Sequence, residues 1–213
     1  MKILMVCSSR ARNEGFFTSE QAEALRDKGH TVELFFMKGG GLSGYISSWL
    51  PLLRRIIRFR PGILHAHYGL SGFIAVLQPF RPVVITVHGG DIYVKRNALI
   101  TQVACLLASR VIVVNEEMKR MLWRKRGVEL IPCGVDLSLF TPGNSVSSRD
   151  ALHYNSEEIL VLFSSGFRRP VKNYNLAKEA ISLSVWKPKL IELVNINREQ
   201  MPLLIDSADV VLV

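Results

Sequence analysis

A histidine, two glycines and an aspartate stand at positions 88–91, directly after the β-branched run Val83-Val84-Ile85-Thr86-Val87. A short apolar run of this kind reads as a buried strand, and ligands of parallel α/β sheets collect where such strands end. His88 and Asp91 are therefore candidate catalytic residues. The imidazole could polarise or position a hydroxyl, with the nearby carboxylate raising its pKa and holding its ring. Gly89 and Gly90 would let a substrate approach the backbone closely. The alternative is structural: the ring ends the strand and the carboxylate closes the glycine turn. A second cluster, Ser164-Ser165-Gly166-Phe167-Arg168-Arg169-Pro170-Val171-Lys172-Asn173, lies between a strand-like and a helix-like segment. Fixed cations beside the orphan amides of a helix start make an anion site, which suits a diphosphate. A solvated basic loop is the plainer reading.

Three further patterns carry weaker signals. His65 and His67 are two apart, so on a strand they face the same way, and the pair resembles the opening of metal-dependent amidohydrolases. Such enzymes need more histidines at later strand ends, and only His30 and His153 remain besides His88. Polar residues lining a cleft mouth are the expected role, with a metal-dependent hydrolase using His65 and His67 as the minor alternative. Gly39-Gly40-Gly41-Leu42-Ser43-Gly44 matches the dinucleotide fingerprint in form. It stands after the wrong strand and lacks the ribose-binding acid, so a glycine turn is expected. Trp49 to Arg60 places Trp49, Leu52, Leu53, Ile56 and Ile57 at helical spacing, with Arg54, Arg55 and Arg58 on the remaining face. That helix would pack on the sheet and could offer its arginines to anionic lipid.

The elements that must position these residues alternate along the chain. Strand-like runs fall at Lys2 to Cys7, Thr31 to Phe36, Gly62 to Ala66, Pro82 to Val87, Arg110 to Val114 and Val128 to Ile131, with helical patterns between them. One helix should start near Ser19, where Thr18 and Gln21 form a capping box, and end at Gly29; another should start at Asn115. This predicts an α/β chain with a doubly wound parallel sheet over residues 1–140. A polar stretch over 141–157 reads as a linker, and strand and helix patterns resume over 158–213. The chain stops inside a strand, Asp209 to Val213, and a unit this small would bury only about 60% of its unfolded surface. An incomplete second domain is the expectation.

Composition sets wider bounds. The 213 residues are 48% hydrophobic, enough for a packed core. No apolar run is long enough to span a bilayer, and the amino terminus lacks a signal-peptide core, so a cytoplasmic protein is expected. Three widely spaced cysteines argue against a disulfide framework and read as reduced packing residues. A formal net charge of +9 draws the molecule to polyanions without choosing among phosphorylated ligands, anionic lipid and nucleic acid.

Taken in order, several segments resemble the retaining glycosyltransferases of family 4. These are Gly15-Phe16-Phe17, Gln21 to Leu25, Gly29 to Val32, His65 to Gly69, Thr86 to Asp91, Val111 to Asn115, Ile131 to Asp136, and the cationic Arg168-Arg169 with Lys172-Asn173. The resemblance implies a GT-B fold, in which an amino-terminal Rossmann-like domain on the acceptor side faces a nucleotide-sugar domain. It implies transfer of a hexosyl group from a nucleotide-diphosphate sugar to a glycan or lipid-linked acceptor in cell-surface polysaccharide or glycolipid assembly. No bound cofactor or metal and no nucleic-acid partner are implied; an anionic membrane surface at the inner face of the cell membrane is a possible partner. By the same analogy His88 lies beside the reacting sugar, and Gly15 and Phe16 belong to a loop near the phosphates. Arg168 or Arg169, Lys172 and Asn173 would bind the donor, while His65, His67, Tyr68, Gly89 and Gly90 sit on the acceptor side. The family's glutamate pair, which follows a strand resembling Ala208 to Val213, is not reached, and Asn195-Ile196-Asn197 replaces the usual glycine-rich loop. Impaired transfer by the 213-residue chain is the resulting expectation. The other reading from a different class is a non-catalytic basic Rossmann module binding anionic membrane or a protein.

Overall fold

The computed structural model describes residues 1–8, 16–39 and 41–213, with the backbone alone for Phe16 and Leu42. It divides into two compact units, Met1–Gly134 and Val135–Val213.

Among the described residues the amino-terminal unit has six parallel strands: β1 (Lys2–Cys7), β2 (Thr31–Phe36), β3 (Ile63–His67), β4 (Val83–Val87), β5 (Arg110–Val113) and β6 (Val128–Leu130). Their order across the sheet is β2-β1-β3-β4-β5-β6. Helices α1 (Phe16–Asp27), α2 (Leu42–Ser47), α3 (Trp49–Phe59), α4 (Gly69–Val76), α5 (Lys95–Leu107) and α6 (Glu116–Met121) connect them. Parallel strands covered on both faces bury both sets of side chains. Strand β1 shows this directly, since Leu4 and Val6 join a core with Leu64, Ala66, Ile85, Val87 and Val111, whereas Ile3, Met5 and Cys7 pack with Ala22 and Val32. The chain leaves β1 toward β2 and returns to β3 on the other side, so the order reverses between β1 and β3. That reversal is where an open α/β sheet forms its ligand crevice.

Most strands begin or end within a residue of the sequence reading, but α1 does not. It starts at Phe16 rather than near Ser19, which puts Thr18 inside the helix. The reason is tertiary: Thr18 is buried, and its hydroxyl pairs with the Cys7 thiol. Asn115 caps α6 as expected, its side chain accepting from the Met118 amide at 2.9 Å. The glycine stretch lies after β2, with Gly41 at the start of α2; Gly40 lies outside the described residues. Cys7 and Cys105 are buried, and burial pushes both thiols up to about 12. Cys133 is exposed, contrary to the packing role expected of it.

The carboxyl-terminal unit has three parallel strands, β7 (Leu160–Phe163), β8 (Lys189–Glu192) and β9 (Val210–Leu212), in the order β8-β7-β9. Its helices are α7 (Ser145–Ala151), α8 (Tyr174–Leu183) and α9 (Met201–Ser207). Residues 141–157, read from sequence as a linker, thus contain a helix of this unit. Asn144 caps α7 by accepting from the amides of Val146 and Ser147 at 2.9 and 3.2 Å. From that helix Arg149, only 7% exposed, sends its guanidinium into the unit. It donates to the carbonyls of Ser207 (2.9 Å), Ser156 (2.8 Å) and Glu158 (3.1 Å) and to the Asp209 carboxylate (2.7 Å).

Candidate functional site

The carboxyl ends of β3 and β4 lie side by side, with His67 paired to Thr86 in the strand register. His65 and His67 point to one face, alternating with Leu64 and Ala66 of the core, and their rings are 4.5 Å apart. His65 Nε2 meets Thr86 Oγ1 at 2.8 Å, and His67 Nδ1 meets His88 Nε2 at 3.0 Å. The imidazoles of His67 and His88 lie edge to edge, nearly coplanar, with centroids 5.2 Å apart. Tyr68 packs its ring on the other side of His88, with 4.7 Å between centroids.

Asp91 ties the loops together. Its carboxylate accepts from the amides of Gly69 (3.0 Å), the first residue of α4, and His88 (3.1 Å). Its carbonyl accepts the Thr101 hydroxyl of α5 at 2.8 Å. Gly69 fits there because a side chain would collide with Thr101. Gly89 makes the turn at φ 95°, a left-handed conformation, and a Cβ there would come within 3.0 Å of Met118. Asp91 therefore holds the backbone beneath His88 and does not bond its ring. The expected rise in the histidine's pKa is not found. Burial pushes His65 and His88 down to about 4 and His67 well below its ordinary value, while burial raises the Asp91 carboxyl. All three imidazoles are neutral near pH 7.

Tyr68 carries the site's backbone strain. At φ 70° and ψ 148° it occupies a region that glycine almost alone adopts, at a cost of roughly 1–3 kcal/mol. Its amide donates to the Thr86 carbonyl (3.0 Å) and its carbonyl accepts from Gly72 (2.9 Å), so both neighbouring elements enforce the conformation. The result is a half-exposed phenol pressed on His88.

In the carboxyl-terminal unit the loop after β7 folds around Phe167. That ring stacks on Tyr174 with centroids 4.2 Å apart, and its amide donates to Glu192 at 2.9 Å. Turning Phe167 inward leaves Arg168 and Arg169 as the exposed cations, with Lys172 at the end of the turn Pro170–Lys172 and Asn173 at φ 51° before α8. Among the described residues none of the three cations is in an ion pair, and the Ser165 hydroxyl is buried without a partner. After β8, Asn195 takes φ 55°, a left-handed turn made here without glycine.

The structure thus gathers His65, His67, Tyr68, His88, Gly89 and Asp91 at one strand end, with Gly90 exposed on the turn. Contrary to the sequence reading, His65 and His67 do not line an open mouth; they are 6% and 1% exposed and support the site from below. Gly15 lies outside the described residues, and Phe16 opens α1. Among the described residues no group of three or more histidine, cysteine or acidic side chains is placed to hold a metal ion. Sequence reasoning missed Thr86 and Thr101, whose hydroxyls fix His65 and Asp91. Thr86 lay inside the quoted strand; nothing local marked Thr101.

Parallel sheets in two units, with a polar cluster at the strand ends beside the order reversal, match the GT-B architecture. A profile described as Glycosyltransferase Family 4 matches residues 15–139, and the chain belongs to that family. No curated protein matches the sequence. Sucrose-phosphate synthase from Thermosynechococcus elongatus is similar in structure, with a TM-score of 0.75 at 16% identity over 99% of this chain and 75% of that one. HepE of Anabaena, solved in complex with UDP, gives a TM-score of 0.72 at 16% identity, covering 99% and 73%. UDP-GlcNAc 2-epimerase from Neisseria meningitidis gives 0.62 at 14% identity, covering 99% and 71%. At such identities the likenesses establish the fold, which an epimerase shares; the family match is what separates the classes.

Proposed function

We propose that the protein transfers a hexosyl group from a nucleotide-diphosphate sugar to a glycan or lipid-linked acceptor, with retention at the anomeric carbon. The observation that carries this reading is the cationic loop after β7, where Arg168, Arg169 and Lys172 stand exposed, without carboxylate partners among the described residues, before a helix start. A similar structure, HepE, is described as a UDP complex. In the reaction the bond from the anomeric carbon to the diphosphate oxygen breaks and the diphosphate leaves with the electron pair. The acceptor hydroxyl oxygen forms the new bond, and its proton passes to the departing phosphate. Fixed cations stabilise the charge that develops on the leaving group. His88 touches the sugar and Asp91 positions it; Tyr68, Gly89 and Gly90 shape the acceptor side, with His65 and His67 beneath. Gly15, Phe16 and Asn173 complete the donor set.

Titration with UDP and GDP tests the donor assignment. One nucleotide is expected to bind, and Arg168→Ala and Lys172→Ala should each weaken it about 10-fold or more, the loss of a charge-assisted hydrogen bond. Binding of neither nucleotide to the intact chain would overturn it.

A second feature bears on the acceptor and on location. No described helix is long and apolar enough to cross a membrane. On α3, however, Leu50 and Ile57 are 56% and 65% exposed and alternate with exposed Arg54 and Arg58. We assign this stripe to the cytoplasmic membrane surface, where each arginine contributes about 1 kcal/mol near anionic lipid. Sedimentation with phosphatidylglycerol vesicles should fall at least about 10-fold in the Arg54→Glu, Arg58→Glu double variant. Equal recovery on neutral phosphatidylcholine vesicles would refute the assignment.

A further inference from the structure

We propose that His67 is a positioning residue that fixes His88 as its Nδ1–H tautomer, so that the ring offers a proton, not a lone pair, to the bound ligand. The contact between His67 Nδ1 and His88 Nε2 is 3.0 Å, a hydrogen bond between two imidazoles that needs one proton. Which ring supplies it decides what His88 can do with its other nitrogen, because the bond made by one ring nitrogen sets the state of the other.

Two neutral arrangements exist. In one, His88 Nε2–H donates to a bare His67 Nδ1; the proton of His67 must then sit on Nε2. That atom is buried and has no partner among the described residues, so the arrangement strands an N–H donor. In the other, His67 Nδ1–H donates to a bare His88 Nε2, and only a lone pair is left at His67 Nε2. Buried donors without acceptors are rarer than under-satisfied acceptors, which selects the second arrangement. A charged ring offers no escape. His67 is 1% exposed, so burial penalises a charge on its ring, and a second proton on His65, 4.5 Å away, or on His88 would add repulsion between like charges. Asp91, the nearby carboxylate, is committed to the amides of Gly69 and His88.

His88 then has its proton on Nδ1, which makes no hydrogen bond among the described residues, while the ring is held by its bond to His67 and by the Tyr68 ring against it. A fixed donor suits a ligand oxygen and rejects a ligand group that can only donate. Its consequence for the sugar rests on the glycosyl-transfer reading above; the tautomer itself does not.

Long-range proton–nitrogen correlation on the full chain with nitrogen-labelled histidine, at pH 7.5, reads the tautomer directly. The expected result is a pyrrole-type Nδ1 and a pyridine-type Nε2 for both His67 and His88. A pyrrole-type Nε2 on His88 overturns the inference. His67→Asn, whose amide can donate from near the Nδ1 position, should preserve the His88 signature. His67→Phe should release it and weaken binding of the nucleotide sugar recognised by the chain about 10-fold while leaving binding of the bare nucleotide unchanged. An unchanged His88 spectrum in His67→Phe counts against the proposal. Should that variant fail to fold, the wild-type spectrum still decides. The expected spectrum without any nucleotide-sugar binding would sink the function reading and leave the tautomer standing.

Discussion

Arg149→Ala is expected to unfold the carboxyl-terminal unit while the amino-terminal unit stays folded. The guanidinium ties α7 to the carbonyls of Ser156, Glu158 and Ser207 and to Asp209, whose carboxylate also accepts the first amide of β7, Leu160, at 2.7 Å. The Asp209 side chain is 44% exposed, so the ion pair itself contributes little. The three carbonyls matter more, because each loses a charged donor in a site that water reaches poorly. Leaving three such acceptors without their donor costs on the order of 3 kcal/mol, about 1 kcal/mol each. Small domains hold stabilities near the low end of roughly 5–15 kcal/mol, so most of that reserve is lost. Arg149→Lys should recover less than half, since one ammonium cannot address acceptors spread around a planar fork. Amide hydrogen exchange on the full chain checks this. The β7 amides should lose protection and those of β1 and β4 should keep it. Undiminished protection at Leu160 to Phe163 would show that Arg149 is dispensable.

The amino-terminal unit is expected to lose stability on mild acidification. His65 and His88 hold their protons only below about pH 4 in the folded state, whereas an unfolded histidine takes one up near 6.5. Above pH 6.5 neither state binds the proton and stability is flat. As pH falls from 6.5 toward 4 the unfolded chain binds protons first, so folding weakens by about 1.4 kcal/mol per pH unit per ring. Each ring accounts for about 3 kcal/mol by pH 4, and His67 adds in the same direction. Asp91 acts the other way, because its raised folded pKa favours the folded state as acid is added, but it is one group against three. Urea midpoints should fall modestly from pH 7.5 to 6.0 and more steeply from 6.0 to 5.0. His65→Phe should flatten the drop, and a midpoint indifferent to pH would refute the buried neutral cluster.

These two expectations separate what the sequence makes legible from what it hides. The strands were readable because a β-branched apolar run such as Val83 to Val87 has few other stable uses, and the turn after it announces itself with two glycines. His88 could be placed at a strand end on that basis alone. His67 and His88 are 21 residues apart, and alternation says that His65 and His67 share a face but not that the face is covered. Asp91 looked like a partner for the imidazole, yet its carboxylate goes to an amide 22 residues back in the chain. Arg149 was harder still. It lies in a serine-rich stretch without apolar periodicity, and Ser207 and Asp209, two of its partners, are 58 and 60 residues away. Local pattern cannot register a helix anchored by one buried cation.

The three thiols differ in kind, and the difference gives the molecule a chemical handle. Cys7 and Cys105 are covered and, with thiols pushed up to about 12, stay protonated near neutral pH, whereas alkylating reagents act on exposed thiolate. Burial raises the Cys133 thiol as well, but it alone of the three is exposed to a reagent, one residue before the end of the amino-terminal unit. A maleimide dye or spin label would therefore attach at a single place in the unmodified protein, where the chain passes from one unit to the next.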